Sequence, residues 1–161
     1  MNPHLNLASE SGNALVELAV TLPLFLLLIL GTAEIANLAW ASMQVNNAAH
    51  AAASYASQSR TTSAAANLAN IGLAAQNEAP QLITAPSTQV TSTQFCSCAG
   101  SDGSSTSIAC DSTALTNCPS PSTIEVSVQV TTQVPVSPLF HYPGLPSSYT
   151  ITGRATMDVL Q

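Results

Sequence analysis

Apolar residues run almost unbroken from Leu18 to Ala33, and no charged side chain falls within that stretch. Leu22 to Leu30 is built from Leu, Ile and Phe with a single Pro. Carried on through Ile35 to Trp40, the segment counted from Glu17 makes a helix of about 35 Å at ~1.5 Å per residue. A bilayer core is about 30 Å thick, so the length suffices to cross it. Trp40 then lies at the membrane interface, where aromatic side chains are favoured. The helical pattern continues past Trp40 in an Ala-rich run carrying Asn46, Asn47, His50 and Gln58. Alanine has the highest helix propensity, so this part can stay helical outside lipid. The pattern predicts one helix from Asn13 to about Ser57, bent at Pro23, which removes a backbone bond. Thr61-Thr62-Ser63 reads as a break and N-cap. A second helix is expected from Ser63 to Glu78, stopping before Pro80.

Beyond Pro80 the period changes to two. Ile124, Val126, Val128 and Val130 alternate with Glu125, Ser127, Gln129 and Thr131, the strongest strand signal in the chain. Tyr149, Ile151, Ala155, Met157 and Val159 alternate in the same way with polar residues. Gln89 to Phe95 is a weaker, Thr-rich strand. Val134 to Ser148 reads as a Pro-rich crossing loop. An antiparallel sheet with one apolar face needs a cover, and the helices outside the lipid supply it. The expected class is α+β, a long membrane helix continuing into a soluble one, a short second helix, and a small antiparallel sheet packed on both. The expected organisation is a leader-like segment over 1–12, a transmembrane helix over 13–40, extracytoplasmic helices over 41–79, and a β domain with a cysteine-rich loop over 80–161.

Composition sharpens this picture. Only 6% of the 161 residues are charged, against about 25% in an average soluble domain. Arg60 and Arg154 are the two basic residues, and the formal charge is −6. Nucleic-acid binding therefore has no electrostatic basis. A rival to the anchor is a secretory signal cleaved at the small-x-small pattern Ala39-Trp40-Ala41. The apolar segment is long for a signal, its leading residues carry no Lys or Arg, and the helix pattern runs on past the site. The N-terminus is placed inside, because its segment is short and the long tail holds the cysteines.

Those cysteines, Cys96, Cys98, Cys110 and Cys118, fall in one Ser/Gly-rich stretch. Four clustered cysteines in an exported segment point to two disulfides. Cys96 and Cys98 would share one face of a strand, so each pairs across to Cys110 or Cys118, with both cross pairings open. Asp102-Gly103 between them signals a hairpin turn. The spacing lacks the C-x-x-C of a zinc knuckle or a redox motif. His4, His50 and His141 are scattered, and no G-x-S-x-G nucleophile motif is present. Neither an enzyme, a metal site nor a cofactor is expected.

Two carboxylates stand out. Glu17 follows Gly12 by five residues and opens the apolar helix, although a charge at the bilayer centre costs at least ~2.5 kcal/mol. Near the headgroups it complements the helix dipole. Alternatively, cleavage after Gly12 would leave an amine on Asn13 that Glu17 of a neighbouring subunit neutralises. Glu34, Asn37, Ala41 and Gln44 share one helix face. That stripe is either solvated at the outer interface or a contact line to other helices, with Glu34 the stronger contact because it lies nearest the lipid.

Gly12 to Arg60 resembles the TadE-like family of the tight-adherence (Flp, type IVc) pilus systems. The matching residues are Gly12, Asn13-Ala14-Leu15, Val16-Glu17, Leu22-Pro23 and Gly31-Thr32-Ala33-Glu34, then the run Val45 to Ala56. Pro135 to Gly144 followed by Thr150 to Met157 is similar to the family's closing strand. The chain departs from the family at Ser11 and His50, where basic residues are usual. The resemblance implies a minor pseudopilin in the bacterial inner membrane, with its C-terminal domain periplasmic. It implies cleavage by a prepilin peptidase between Gly12 and Asn13, and an intersubunit role for Glu17. Its implied partners are other pilins or pseudopilins, pilus assembly platform proteins, the prepilin peptidase and membrane lipid. The alternative function is a membrane-tethered adhesin or scaffold never incorporated into a pilus.

Overall fold

The computed structural model describes residues 8–58, 67–110, 118–119, 121–141, 144 and 146–159. Helix α1 spans Ala8–Ala56, 49 residues, or about 73 Å at ~1.5 Å per residue. It begins five residues before the expected Asn13, because nothing from Ala8 to Gly12 forbids helix. A lone Gly costs only about 1 kcal/mol there. Helicity also continues through Pro23. Helix α2 spans Leu68–Glu78, with Asn67 at its N-cap position making no side-chain cap bond. The expected start at Ser63 and its cap lie outside the described residues. A short α3, Pro86–Gln89, follows with Pro at its first turn.

Four strands form one sheet, β1 Val90–Ala99, β2 Ser105–Ile108, β3 Thr123–Val136 and β4 Tyr149–Asp158. Their order is β2-β1-β3-β4, every neighbour antiparallel. The alternation seen from Ile124 to Val130 continues for six more residues, through Thr132, Val134 and Val136, all buried. The loop expected from Val134 therefore starts later. Pro135 is tolerated inside β3 for a geometric reason. The Val126 carbonyl accepts the Val159 N–H at 2.7 Å. Even-numbered residues of β3 thus direct their backbone groups to β4, and Pro135 faces the other side. There β1 has already ended, at Val90 opposite Thr132, so Pro135 leaves no ladder bond unmade. Strand β2 is not among the elements that the sequence pattern predicts. Ser105 to Ile108 has no apolar alternation, and the strand is largely exposed; its pairing with β1 follows from the turn that joins them.

The helices cover one face of the sheet. On α1 the buried residues are Ala41, Val45, Ala48, Ala49, Ala52, Ala53 and Ala56, at the three- and four-residue spacing of one helix face. They pack on β4 and β3, while α2 brings Ile71 and Ala75 against α1 and β1. Small side chains set a short helix-to-sheet distance. At the closest point, a Cβ on Gly153 would fall 2.5 Å from the Val45 carbonyl oxygen. Thr132, fully buried, donates its hydroxyl to that same oxygen at 2.9 Å.

Candidate functional site

The lower part of α1 stands clear of the sheet and the other helices. Leu15, Val20, Leu24, Leu28 and Ile35 are each more than half exposed. A continuous apolar surface of this kind exceeds what a soluble monomer leaves in water. Gly12–Ala56 holds the one helix among the described residues that is long and apolar enough to cross a membrane. The chain thus has the form of a single-pass membrane protein, with the sheet held on the helix's C-terminal half.

Gly12 is helical, and a Cβ placed on it would meet nothing within 4 Å among the described residues. It neither turns the chain nor permits a close approach. Packing among the described residues therefore gives no reason for a glycine at this position. Glu17 is exposed, and its carbonyl accepts the Thr21 hydroxyl at 2.9 Å. Pro23 lies between exposed leucines in mid-span.

At the top of the span, the face that carries Glu34, Asn37, Ala41 and Gln44 is turned onto the chain's own domain. Ala41 is buried, and Glu34, Asn37 and Gln44 are half-buried. The Leu139 N–H donates to Glu34 Oε2 at 2.8 Å, across 105 residues of sequence. This bond ties the loop between β3 and β4 to the anchor. Among the described residues, the other oxygen, Oε1, is buried without a hydrogen-bond partner. Beside it, Leu27, Gly31 and Ile35 of α1 form one wall of a groove of about 340 Å³. Pro138, Phe140 and Tyr149 form the other wall.

The far end of the sheet holds the cysteines. Cys96 bonds Cys110, and Cys98 bonds Cys118, with Cα separations of 5.3 and 5.6 Å. Cys96 and Cys98 alternate inward on β1 and are both buried. The Asp102-Gly103 turn closes the β1–β2 hairpin, with Gly103 at φ +82°, the left-handed region that glycine enters freely. The Gly100 N–H donates to the Ser104 carbonyl at 2.7 Å. Asp102 Oδ1 accepts from the Ser104 hydroxyl at 2.6 Å and its N–H at 3.0 Å. These two bonds, the hydroxyl first, hold the Asp102 carboxyl below its ordinary 3.8. His50 and His141 are exposed and stand on separate elements, and His4 lies outside the described residues. Among the described residues, no three His, Cys, Asp or Glu side chains gather as a metal set.

Two features escape a reading of the sequence. The Leu139–Glu34 bond has no local signal, because its donor is a backbone group. The Thr132–Val45 bond is hidden in an alternating Thr-rich strand. Gly153 does carry a signal, since a glycine inside a strand marks close backbone approach.

Residues 12–54 match the family model described as TadE-like protein. The match falls within the segment, Gly12 to Arg60, on which the resemblance rests. It covers the anchor and the first packed turns of α1. The comparisons with curated proteins and with solved structures give no significant match.

Proposed function

We propose that this chain, TadE-like through its anchor helix, is a minor pseudopilin of a tight-adherence (Flp) pilus. Its helix is embedded in the bacterial inner membrane, with the N-terminus inside and the disulfide-bonded sheet in the periplasm. It joins or primes the pilus by offering residues 13–40 to similar helices of other pilins and of the assembly platform.

The observation that carries this reading is that α1 is one helix with two surfaces. Its first half presents exposed apolar side chains, and its second half is welded to the sheet by an alanine face. Displacing the helix along its axis would therefore move the periplasmic domain with it. A rigid rod of that kind suits assembly, in which subunits leave lipid for a bundle of like helices. Two disulfides agree with an oxidising compartment.

Gly12 fits a processing site better than a packing site. It lies four residues into α1, within the turns that fray most readily, and glycine lowers the cost of opening them. A prepilin peptidase cutting after Gly12 would expose the Asn13 amine. That cation sits poorly at a helix N-terminus, and Glu17 of a neighbouring subunit neutralises it.

The test is the intact mass of the protein extracted from membranes with detergent. A start at Asn13 is expected. A start at Met1 would favour a tethered adhesin or scaffold, and a start at Ser42 would mean a secreted, anchor-free product.

A further inference from the structure

The loop between β3 and β4 differs in chemistry from the turn at the opposite end of the sheet. Between Val136 and Tyr149 the sequence holds no Asp, Glu, Lys or Arg. Leu139 is 55% exposed and Phe140 36%. The β1–β2 turn is instead Gly100-Ser101-Asp102-Gly103-Ser104, with its carboxylate exposed. The level of the apolar loop is set by α1. Centring the charge-free run, Leu18 to Ala33, in a hydrocarbon core about 30 Å thick leaves about ten residues above the midpoint at ~1.5 Å each. With α1 upright, the core therefore ends beside Ile35 and Ala36. The Leu139 N–H donates to Glu34 Oε2 at 2.8 Å, which holds the loop at that level. Pro138 and Phe140 also line one groove with Gly31 and Leu27, about 7 and 13 Å below the boundary at ~1.5 Å per residue. Trp40, exposed on α1 about 7 Å above it, stands where aromatic side chains favour the interface.

We infer that the β3–β4 loop is a second membrane contact, with the side chains of Leu139 and Phe140 immersed in the leaflet on the domain's side, next to α1. Loops are kept out of lipid by their backbone groups, which hydrocarbon cannot satisfy. Here Pro138 has no N–H, and the N–H of Leu139 is already given to Glu34. Lipid, rather than another protein, covers these side chains because of where the loop is held. It adjoins the exposed apolar face of the anchor at Ile35, at the level where that face leaves the hydrocarbon. The domain then meets the bilayer through α1 and through the loop, which restrains its tilt. The inference rests on α1 spanning the membrane.

The test reads tryptophan fluorescence at chosen positions of the full-length protein, reconstituted in phosphatidylcholine–phosphatidylglycerol vesicles. Trp40 is the chain's one tryptophan, so Trp40→Phe supplies a silent background. In it, Phe140→Trp, Leu139→Trp, Phe25→Trp and Phe95→Trp are compared in lipids brominated either near the headgroup end or near the tail end of their acyl chains. Phe25 is exposed in mid-span and Phe95 is exposed on the sheet. Phe140→Trp and Leu139→Trp should emit at shorter wavelength than Phe95→Trp and lose intensity chiefly to the shallow bromine. Phe25→Trp should lose intensity chiefly to the deep bromine, and Phe95→Trp to neither. Two loop probes are used so that a misfolded one leaves the other to read, and quenching of either upholds the contact. Loop probes that escape lipid bromine and respond to aqueous iodide would overturn the proposal. Loop probes shielded from both quenchers would overturn it too, since protein would then cover them. If Phe25→Trp is quenched and the loop probes are not, only the loop contact falls; if none is quenched, the spanning helix falls with it.

Discussion

Gly153 and Thr132 meet at the point where α1 comes closest to the sheet, and both are there because of the Val45 carbonyl. A side chain at 153 would collide with that oxygen at 2.5 Å, a rigid backbone atom in the packed half of the helix. Gly153→Ala must push α1 away from β4, at a cost of about 1–3 kcal/mol. Thr132→Val keeps the shape and loses the hydroxyl donor, at about 1 kcal/mol. Because both act at one contact, the double variant should cost less than the sum. Urea unfolding of the detergent-solubilised chain, followed by circular dichroism, measures all three; strict additivity would show that the contact does not work as a unit. Alanine elsewhere on this helix face serves the same end, since it lets the backbones approach without a side chain between them.

Among the elements, the β1–β2 hairpin depends on covalent support more than the rest. Strand β2 is four residues long, lies at the sheet edge and is largely exposed, so it buries little apolar surface of its own. Cys98–Cys118 closes a separation of 20 residues, worth about 3 kcal/mol by the chain-entropy estimate. The paired variant Cys98→Ser with Cys118→Ser should therefore lower stability by that amount. Amide exchange should rise first in β2, while β3 and β4 keep their protection. Equal loss of protection across all four strands would mean that the sheet opens as one body. The strand alternation is plain in β3 and β4, where one face is buried against the helices. In β2 only Ile108 is half-buried and the rest is exposed, so the strand has no alternation to announce it, and its one local signal is the Asp102-Gly103 turn before it.

For the molecule as a whole, the bond between Glu34 and Leu139 adds a tie between domain and anchor below the buried alanine face. It joins residues at the lipid boundary to a loop 105 positions later. Glu34→Ala removes the acceptor, and the Leu139 amide should then exchange at least about tenfold faster. The sheet's unfolding midpoint should hardly move. Unchanged protection at Leu139 would mean that the loop is held by its apolar contacts alone. Much of this architecture is legible in the residues themselves. The length of the greasy run announces the anchor, the switch from helical to twofold period marks where the sheet begins, and clustered cysteines announce the staples. Each of these depends only on near neighbours along the chain, where spacing translates directly into geometry. The sulfur pairing, the covering of the alanine face by β3 and β4, the Val45–Gly153 approach and the inward turn of Glu34 come only with the tertiary structure. They are contacts between segments far apart in sequence, and periodicity says which face a residue occupies but not what that face will meet.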